Sequence, residues 1–204
     1  MGIFGEAKPV ALLVMSDYTY LLVDYDNAFD KREAAPGDAR VNLSILTAQL
    51  RAAVLRLGMP KDVTVRLYGG WHFEDGRTTP RAEWLNRALP DFRQLKDGVR
   101  MKPDLATSVA AAANRVLLGT YRNSNGPEQK MVDTMIVSDA IFLARRKGAH
   151  VAVVSDDSDV IPGLVTAGRD AATNSSLTWL RTAARKPHAN DPTVMLNCTI
   201  EVWT

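Results

Sequence analysis

The stretch AHVAVVSDDSDVIPGLVTA, residues 149–167, decides the reading of this chain. Val151-Ala152-Val153-Val154 is short, rich in β-branched residues and apolar throughout, as a strand buried on both faces is. It breaks into Ser155-Asp156-Asp157-Ser158-Asp159. Ile161, Leu164 and Val165 then recur at helical spacing up to Gly168, with Pro162 early, where a helix does not use its N–H. The pattern predicts a strand, an acidic turn and a helix. In open α/β sheets, ligands bind beyond the carboxyl ends of strands, and this turn lies at such an end. Capping by Ser or Asp accounts for one or two of these residues. Three crowded carboxylates repel one another unless a cation is present, so the turn also reads as a metal or catalytic site.

Working outward, a second apolar run, Tyr20-Leu21-Leu22-Val23, also ends in acid, at Asp24-Tyr25-Asp26-Asn27. Residues 30–40 read as a loop. Apolar positions 43, 46, 50, 54 and 57 predict a helix over Val41–Leu57, stopped by Gly58 and Pro60. Val63–Tyr68 alternates as a strand, His72–Pro80 reads as a loop, and Arg81–Leu89 as a short helix closed by Pro90. Phe92–Met101 reads as an extended antiparallel arm. Leu105, Val109, Ala112 and Val116 fit one helical face, although the segment also suits an extended hairpin. Met131–Arg145 is helical, with Asp133 near its start and Asp139 six residues on. Leu177–Leu180 reads as a strand, and Val194–Val202 alternates strictly as a terminal one.

This order predicts the α/β class, a three-layer, Rossmann-like α/β/α arrangement around a mostly parallel sheet. The expected organisation is a single domain over 1–204, with a strand-bearing extension at 171–204. With 46% hydrophobic residues and a net charge of +2, composition neither demands nor excludes a polyanionic partner. Cys198 is the only cysteine, which suits a reducing, cytoplasmic setting, and the three histidines lack zinc-like spacing. Val10–Met15 is too short to span a membrane, so no membrane partner is expected. Oligomeric state is open, a homo-oligomer included.

Carboxylates without histidine or cysteine partners suit a hard cation, Mg²⁺ or Mn²⁺. Such an ion activates water and neutralises phosphodiester charge. Phosphate-ester hydrolysis therefore fits, while P-loop, nucleophile-elbow and dinucleotide motifs are missing. Asn27 suits either an Asx turn or a hydrogen bond to phosphate or water.

LLVDYDNAF (21–29), KMVDTMIVSDA (130–140) and VAVVSDDSDVIPGL (151–164) together resemble the NYN domain of the PIN-like nuclease superfamily. Family members carry a strand ending in Asp closely followed by Asn, a Lys-x-Val-Asp helix start with a second Asp six residues on, and a strand ending in Ser-Gly-Asp-x-Asp-Phe. Asp24 and Asn27 match the first element, Lys130, Asp133 and Asp139 the second, and Ser155, Asp157 and Asp159 the third. The family's Gly is Asp156 here, and its aromatic is Val160. The resemblance covers a core at about 20–170 with an insertion at about 103–125, and it implies a PIN-like fold and a Mg²⁺- or Mn²⁺-dependent ribonuclease. Asp24, Asp133, Asp157 and Asp159 would hold metal, Asn27 would position phosphate or water, and Asp139 and Ser155 would support them. Asp26 has no counterpart and reads as a surface residue.

An RNA partner requires local positive charge. Residues 77–102 hold seven basic residues, Arg77, Arg81, Arg87, Arg93, Lys96, Arg100 and Lys102, against three acidic ones. Trp71, Trp84 and Phe92 interleave with them, which suits base stacking and equally suits a solvated basic face over core aromatics. Two other readings stand beside the nuclease. One is a catalytically idle RNA- or protein-binding module. The other is a haloacid-dehalogenase-like phosphatase using Asp24 and Asp26.

Overall fold

The structure is a computed structural model that describes residues 17–28, 34–106, 120–122, 128–182 and 198–203. Its strands are β1 (Tyr18–Asp24), β2 (Asp62–Tyr68), β3 (His72–Phe73), β4 (Leu95–Lys96), β5 (Val99–Leu105), β6 (Thr120–Arg122), β7 (Glu128–Lys130), β8 (Ala149–Val154), β9 (Ser176–Thr182) and β10 (Cys198–Trp203). Its helices are α1 (Pro36–Arg56), α2 (Pro80–Ala88), α3 (Val132–Ala144) and α4 (Ile161–Arg169). The fold is α/β. A seven-stranded sheet has the order β10-β9-β8-β1-β2-β5-β4, and a small one the order β3-β6-β7. Every pairing in the large sheet is parallel except β4 with β5.

The apolar runs take the centre because only buried parallel strands need apolar residues on both faces. Leu21 and Val23 join one core with Val65, Leu67, Ala152 and Val154, closed by Leu43, Leu46, Leu50 and Val54 of α1 and by Leu85 of α2. The intervening Leu22 joins a second core with Val151, Val153 and Trp179, closed by Met135, Ile136 and Leu143 of α3 and by Leu164 of α4. Successive residues of one strand thus serve two cores, as the pleat requires.

Register fixes the carboxyl edge. Asp24 stands opposite Tyr68 of β2, and Val23 opposite Val154, the last residue of β8. The two acidic strand ends are therefore neighbours.

Several elements differ from expectation. Helix α1 begins at Pro36, inside the predicted loop 30–40: Pro36 occupies the first turn and the Asp38 carboxylate accepts the Ala34 and Ala35 N–H groups, both at 3.0 Å. This cap starts the helix before its apolar period does. The predicted loop His72–Pro80 contains the two-residue strand β3. The arm pairs antiparallel as expected at β4, through Asp97 and Gly98 with φ of 53° and 76°, the left-handed pair of a tight hairpin turn. Its continuation is a strand of the main sheet: β5 buries Val99, Met101 and Pro103 and exposes Arg100, Lys102 and Asp104. Leu105, expected on a helical face, is the last residue of this strand. The remaining predicted helix, 107–116, lies outside the described residues, as do residues 194–197 of the terminal strand. The extension after residue 170 supplies β9 and β10 to the same sheet. No helix among the described residues is long and apolar enough to cross a membrane.

Helices α3 and α4 meet closely at Gly163, where an added Cβ would lie 2.6 Å from Val137 Cγ2. Gly163→Ala should therefore destabilise by about 1–3 kcal/mol, although alanine favours an isolated helix by about 1 kcal/mol. Val137→Ala in the same chain should recover most of that loss in urea titrations. Additive losses in the double variant would remove the contact as the cause.

Candidate functional site

The pocket of interest lies at the carboxyl ends of β1 and β8. Its volume is about 150 Å³, and Asp24, Asp26, Asn27, Val132, Asp133 and Asp157 line it. Three elements bring them together: the turn after β1, the start of α3 and the turn after β8.

Asp24 and Asn27 are fixed first. The Ala28 N–H donates to the Asp24 carbonyl at 3.1 Å, which curls the turn back on the strand end. Asn27 Nδ2 then donates to Asp24 Oδ2 at 2.6 Å and reaches Ser155 Oγ at 3.3 Å. Ser155 Oγ lies 3.4 Å from Asp24 Oδ2 and accepts the Asp157 N–H at 3.1 Å. The Ser155 backbone is tied to β9 through the Leu180 carbonyl at 3.2 Å and the Trp179 indole N–H at 2.9 Å. Asn27 and Ser155, 128 residues apart, thus clasp the two strand ends.

Asp157 has two duties. Its Oδ1 accepts the Asp159 N–H at 2.9 Å and caps the 3-10 turn Ser158–Val160, and its side chain lines the pocket. Asp159 is exposed and does not line the pocket, but it stands close enough to raise the Asp133 pKa. Asp156 is buried beside the strand end.

The electrostatics record crowding. Burial pushes the Asp24 carboxyl from its ordinary 3.8 up to about 7; the Asn27 N–H groups oppose this, while Asp133 and Asp26 add to it. Partial burial, then Asp157 and Asp159, also pushes Asp133 up. Every side-chain donor atom here is oxygen, the set that hard divalent cations accept. Among the described residues no three acidic, histidine or cysteine side chains stand close enough together to hold a metal ion by themselves; an ion that keeps several of its waters needs only one or two direct carboxylates.

Asp26 corrects the surface expectation. Its side chain is only 13% exposed, and Arg81 Nη1 pairs with its Oδ1. The Arg81 guanidinium sits 5.0 Å from the Tyr25 ring centre and 5.6 Å from that of Trp71. No periodicity marks a residue in a turn, so only the placement of α2 reveals this pair.

Asp139, expected to support the metal-holding carboxylates, lies outside the pocket lining. It is fully buried, accepts the Tyr68 hydroxyl at 2.6 Å and pairs with Arg66 Nη2 at 3.4 Å. Arg66 Nε also donates to the Tyr68 hydroxyl at 3.1 Å. Burial, with help from Asp139, holds that hydroxyl well above its ordinary pKa. Asp139 thus anchors α3 to β2 and does not line the pocket. Six residues from Asp133 is a rotation of about 240° on a helix, which turns it away.

Nor do the basic residues of 77–102 gather at the pocket. Arg81 alone among them is paired with a pocket residue among the described contacts. Arg77 pairs with Asp75, Arg87 with Glu83, Arg93 with Asp104 and Lys102 with Asp62. Arg100 stands opposite Asp62, the first residue of β2, about 17 Å along the strand from the carboxyl edge; Lys96 on β4 stands opposite Val99, one residue further from that edge. Trp71 is buried, and Trp84 and Phe92 pack against the first core.

No protein-family model matches this chain, and neither a curated protein nor a solved structure matches it. What the site does must be argued from its own chemistry.

Two predictions follow from this geometry. A carboxyl whose folded pKa exceeds its unfolded value binds a proton in the folded state alone between the two, so stability falls as pH rises through that window. For Asp24 the window runs from about 4 to about 7, and the loss is on the order of 3–4 kcal/mol. In chelator, Asp24→Asn should recover stability of that order at pH 8, gain little at pH 4, and flatten the profile between them; urea titrations at several pH values measure it. Asp139→Asn should instead lose roughly 2–4 kcal/mol at neutral pH, because Arg66 keeps its charge with its partner gone. Its Mn²⁺ affinity, by calorimetry, should match wild type within about threefold.

Proposed function

We propose that this chain is a Mg²⁺- or Mn²⁺-dependent ribonuclease of NYN type, with a three-layer, PIN-like α/β/α domain, acting on RNA in the cytoplasm. One observation carries the reading: Asp24, Asp133 and Asp157, from three separate elements, line one pocket at the carboxyl edge of a parallel sheet. They are three of the four carboxylates that the NYN resemblance designates, Asp159 being the fourth, and their sequence separations exceed 20 residues.

Asp24, Asp133 and Asp157 would hold the cation directly or through water, with Asp159 at the rim. A bound Mg²⁺ or Mn²⁺ supplies Lewis-acid chemistry, polarising a phosphodiester and easing deprotonation of the attacking water. The chain's own part is orientation. Asn27 holds Asp24 Oδ2 through one amide N–H and keeps its Oδ1 for a phosphate-bound water. Ser155 fixes the relative position of the two strand ends. Asp157 is set by the backbone it caps, so its carboxylate reaches the pocket with little rotamer freedom to lose.

Idle carboxylates would be an unusual feature of a purely binding module. Burial and mutual repulsion disfavour their charged forms, and a cation relieves both. The phosphatase reading needs Asp26 as a proton donor, yet Arg81 engages that carboxylate, and the reading leaves Asp133 without a role.

The test is cleavage of labelled single-stranded RNA by wild type and Asp157→Asn. Cleavage should require Mn²⁺ or Mg²⁺, stop in chelator, and fall at least 100-fold in the variant, above the roughly 10–100-fold that supporting residues usually carry. Mn²⁺ should raise the melting temperature of wild type more than that of the variant. Wild type that binds Mn²⁺ but cuts no RNA of varied sequence and structure would refute the ribonuclease and leave a metal-binding module.

A further inference from the structure

The outward face of α1 carries an exposed apolar seam that takes no part in either core cluster of the described residues. Val41, Ile45 and Leu55 are 58%, 47% and 43% exposed, and Ala48 and Ala52 between them are exposed too. The five positions follow steps of four, three, four and three, which is heptad seam spacing. They lie opposite Leu43, Leu46, Leu50 and Val54, which face the core. No charged residue interrupts the seam, which runs about 21 Å along a helix of 21 residues.

We infer that α1 is a self-association surface, pairing antiparallel with α1 of a second copy about a two-fold axis at Ala48. The seam is complementary to itself in that direction. Ala48 meets its own copy, Ile45 faces Ala52, and Val41 faces Leu55, so small residues meet at the centre and large ones oppose each other at both ends. Charge selects the direction independently. Asp38 and Arg56 are 18 residues apart, which is five full helical turns, so they stand on the same flank of the seam. A two-fold axis perpendicular to the helices brings like flanks together, which sets Asp38 of each copy near Arg56 of the other. A parallel pair would face that flank with the one bearing Ser44. Antiparallel pairing also opposes the helix dipoles favourably. Two helices of this length cover about 1,000 Å² in total, at the low end of specific interfaces, so the dimer is reversible and concentration-dependent.

Sedimentation from roughly 5 to 500 µM brackets a dimer of this kind. Wild type should shift from monomer to dimer across that range. Ile45→Glu should stay monomeric at concentrations at least tenfold higher, with its melting temperature within about 2 °C of wild type, because the site is exposed and glutamate favours helix. Arg56→Asp should weaken the dimer, and added salt should narrow its difference from wild type. Cysteine placement reads the direction. Under mild oxidation Ala48→Cys should cross-link to itself beyond the Cys198 background of wild type. Val41→Cys should not cross-link to itself, but should do so when mixed with Leu55→Cys. Wild type that remains monomeric at the highest concentration overturns the inference, as does Ile45→Glu that dimerises like wild type. Self-cross-linking of Val41→Cys as fast as Ala48→Cys overturns the antiparallel arrangement.

Discussion

The clasp between Asn27 and Ser155 depends on one constraint: β1 and β8 lie side by side, parallel and in a register that brings Asp24 level with the end of β8. A shift of one residue would turn Asp24 to the other face of the sheet and send Leu22 with it into the wrong core. The apolar strands on both sides hold the register, and the register holds the carboxylates together. Core packing and site geometry are therefore one requirement rather than two.

That requirement works against local electrostatics. Hydrophobic strands bury the Asp24 carboxyl until its pKa is about 7, and α3 then brings Asp133 into the same pocket. The chain answers the two neighbouring acids differently. Arg81, seated on Tyr25 and Trp71, neutralises Asp26, and Arg66 neutralises Asp139 behind the pocket. Asp24, Asp133 and Asp157 are left facing one space. Arginine thus compensates Asp26 at the pocket wall and Asp139 away from it, while Asp24, Asp133 and Asp157 face the pocket.

The legible part of the sequence was the part with a local cause. Apolar runs at Leu21–Val23 and Val151–Val154 marked central strands because burial on both faces shows directly in composition. Period marked α1 and α3, and turn residues marked their ends. Helix α1 began early because a side-chain cap, not an apolar residue, starts it. Strand β5 was hidden because it alternates buried Val99, Met101 and Pro103 with exposed charges, so its polar half resembled an arm. Asp139 matched a motif yet faces Arg66, because a spacing along a helix fixes an angle but not what lies at that angle.

The sequence by itself determined the α/β class and the two acidic strand ends, since strand burial and turn chemistry act over a few residues. Tertiary structure decided which acids share the pocket, that Asp26 is held there by Arg81, that Asp139 braces α3, and that Arg100 and Lys102 stand far from the carboxyl edge. The physical reason is distance along the chain: ion pairs over tens of residues depend on strand order and register, which no local pattern encodes.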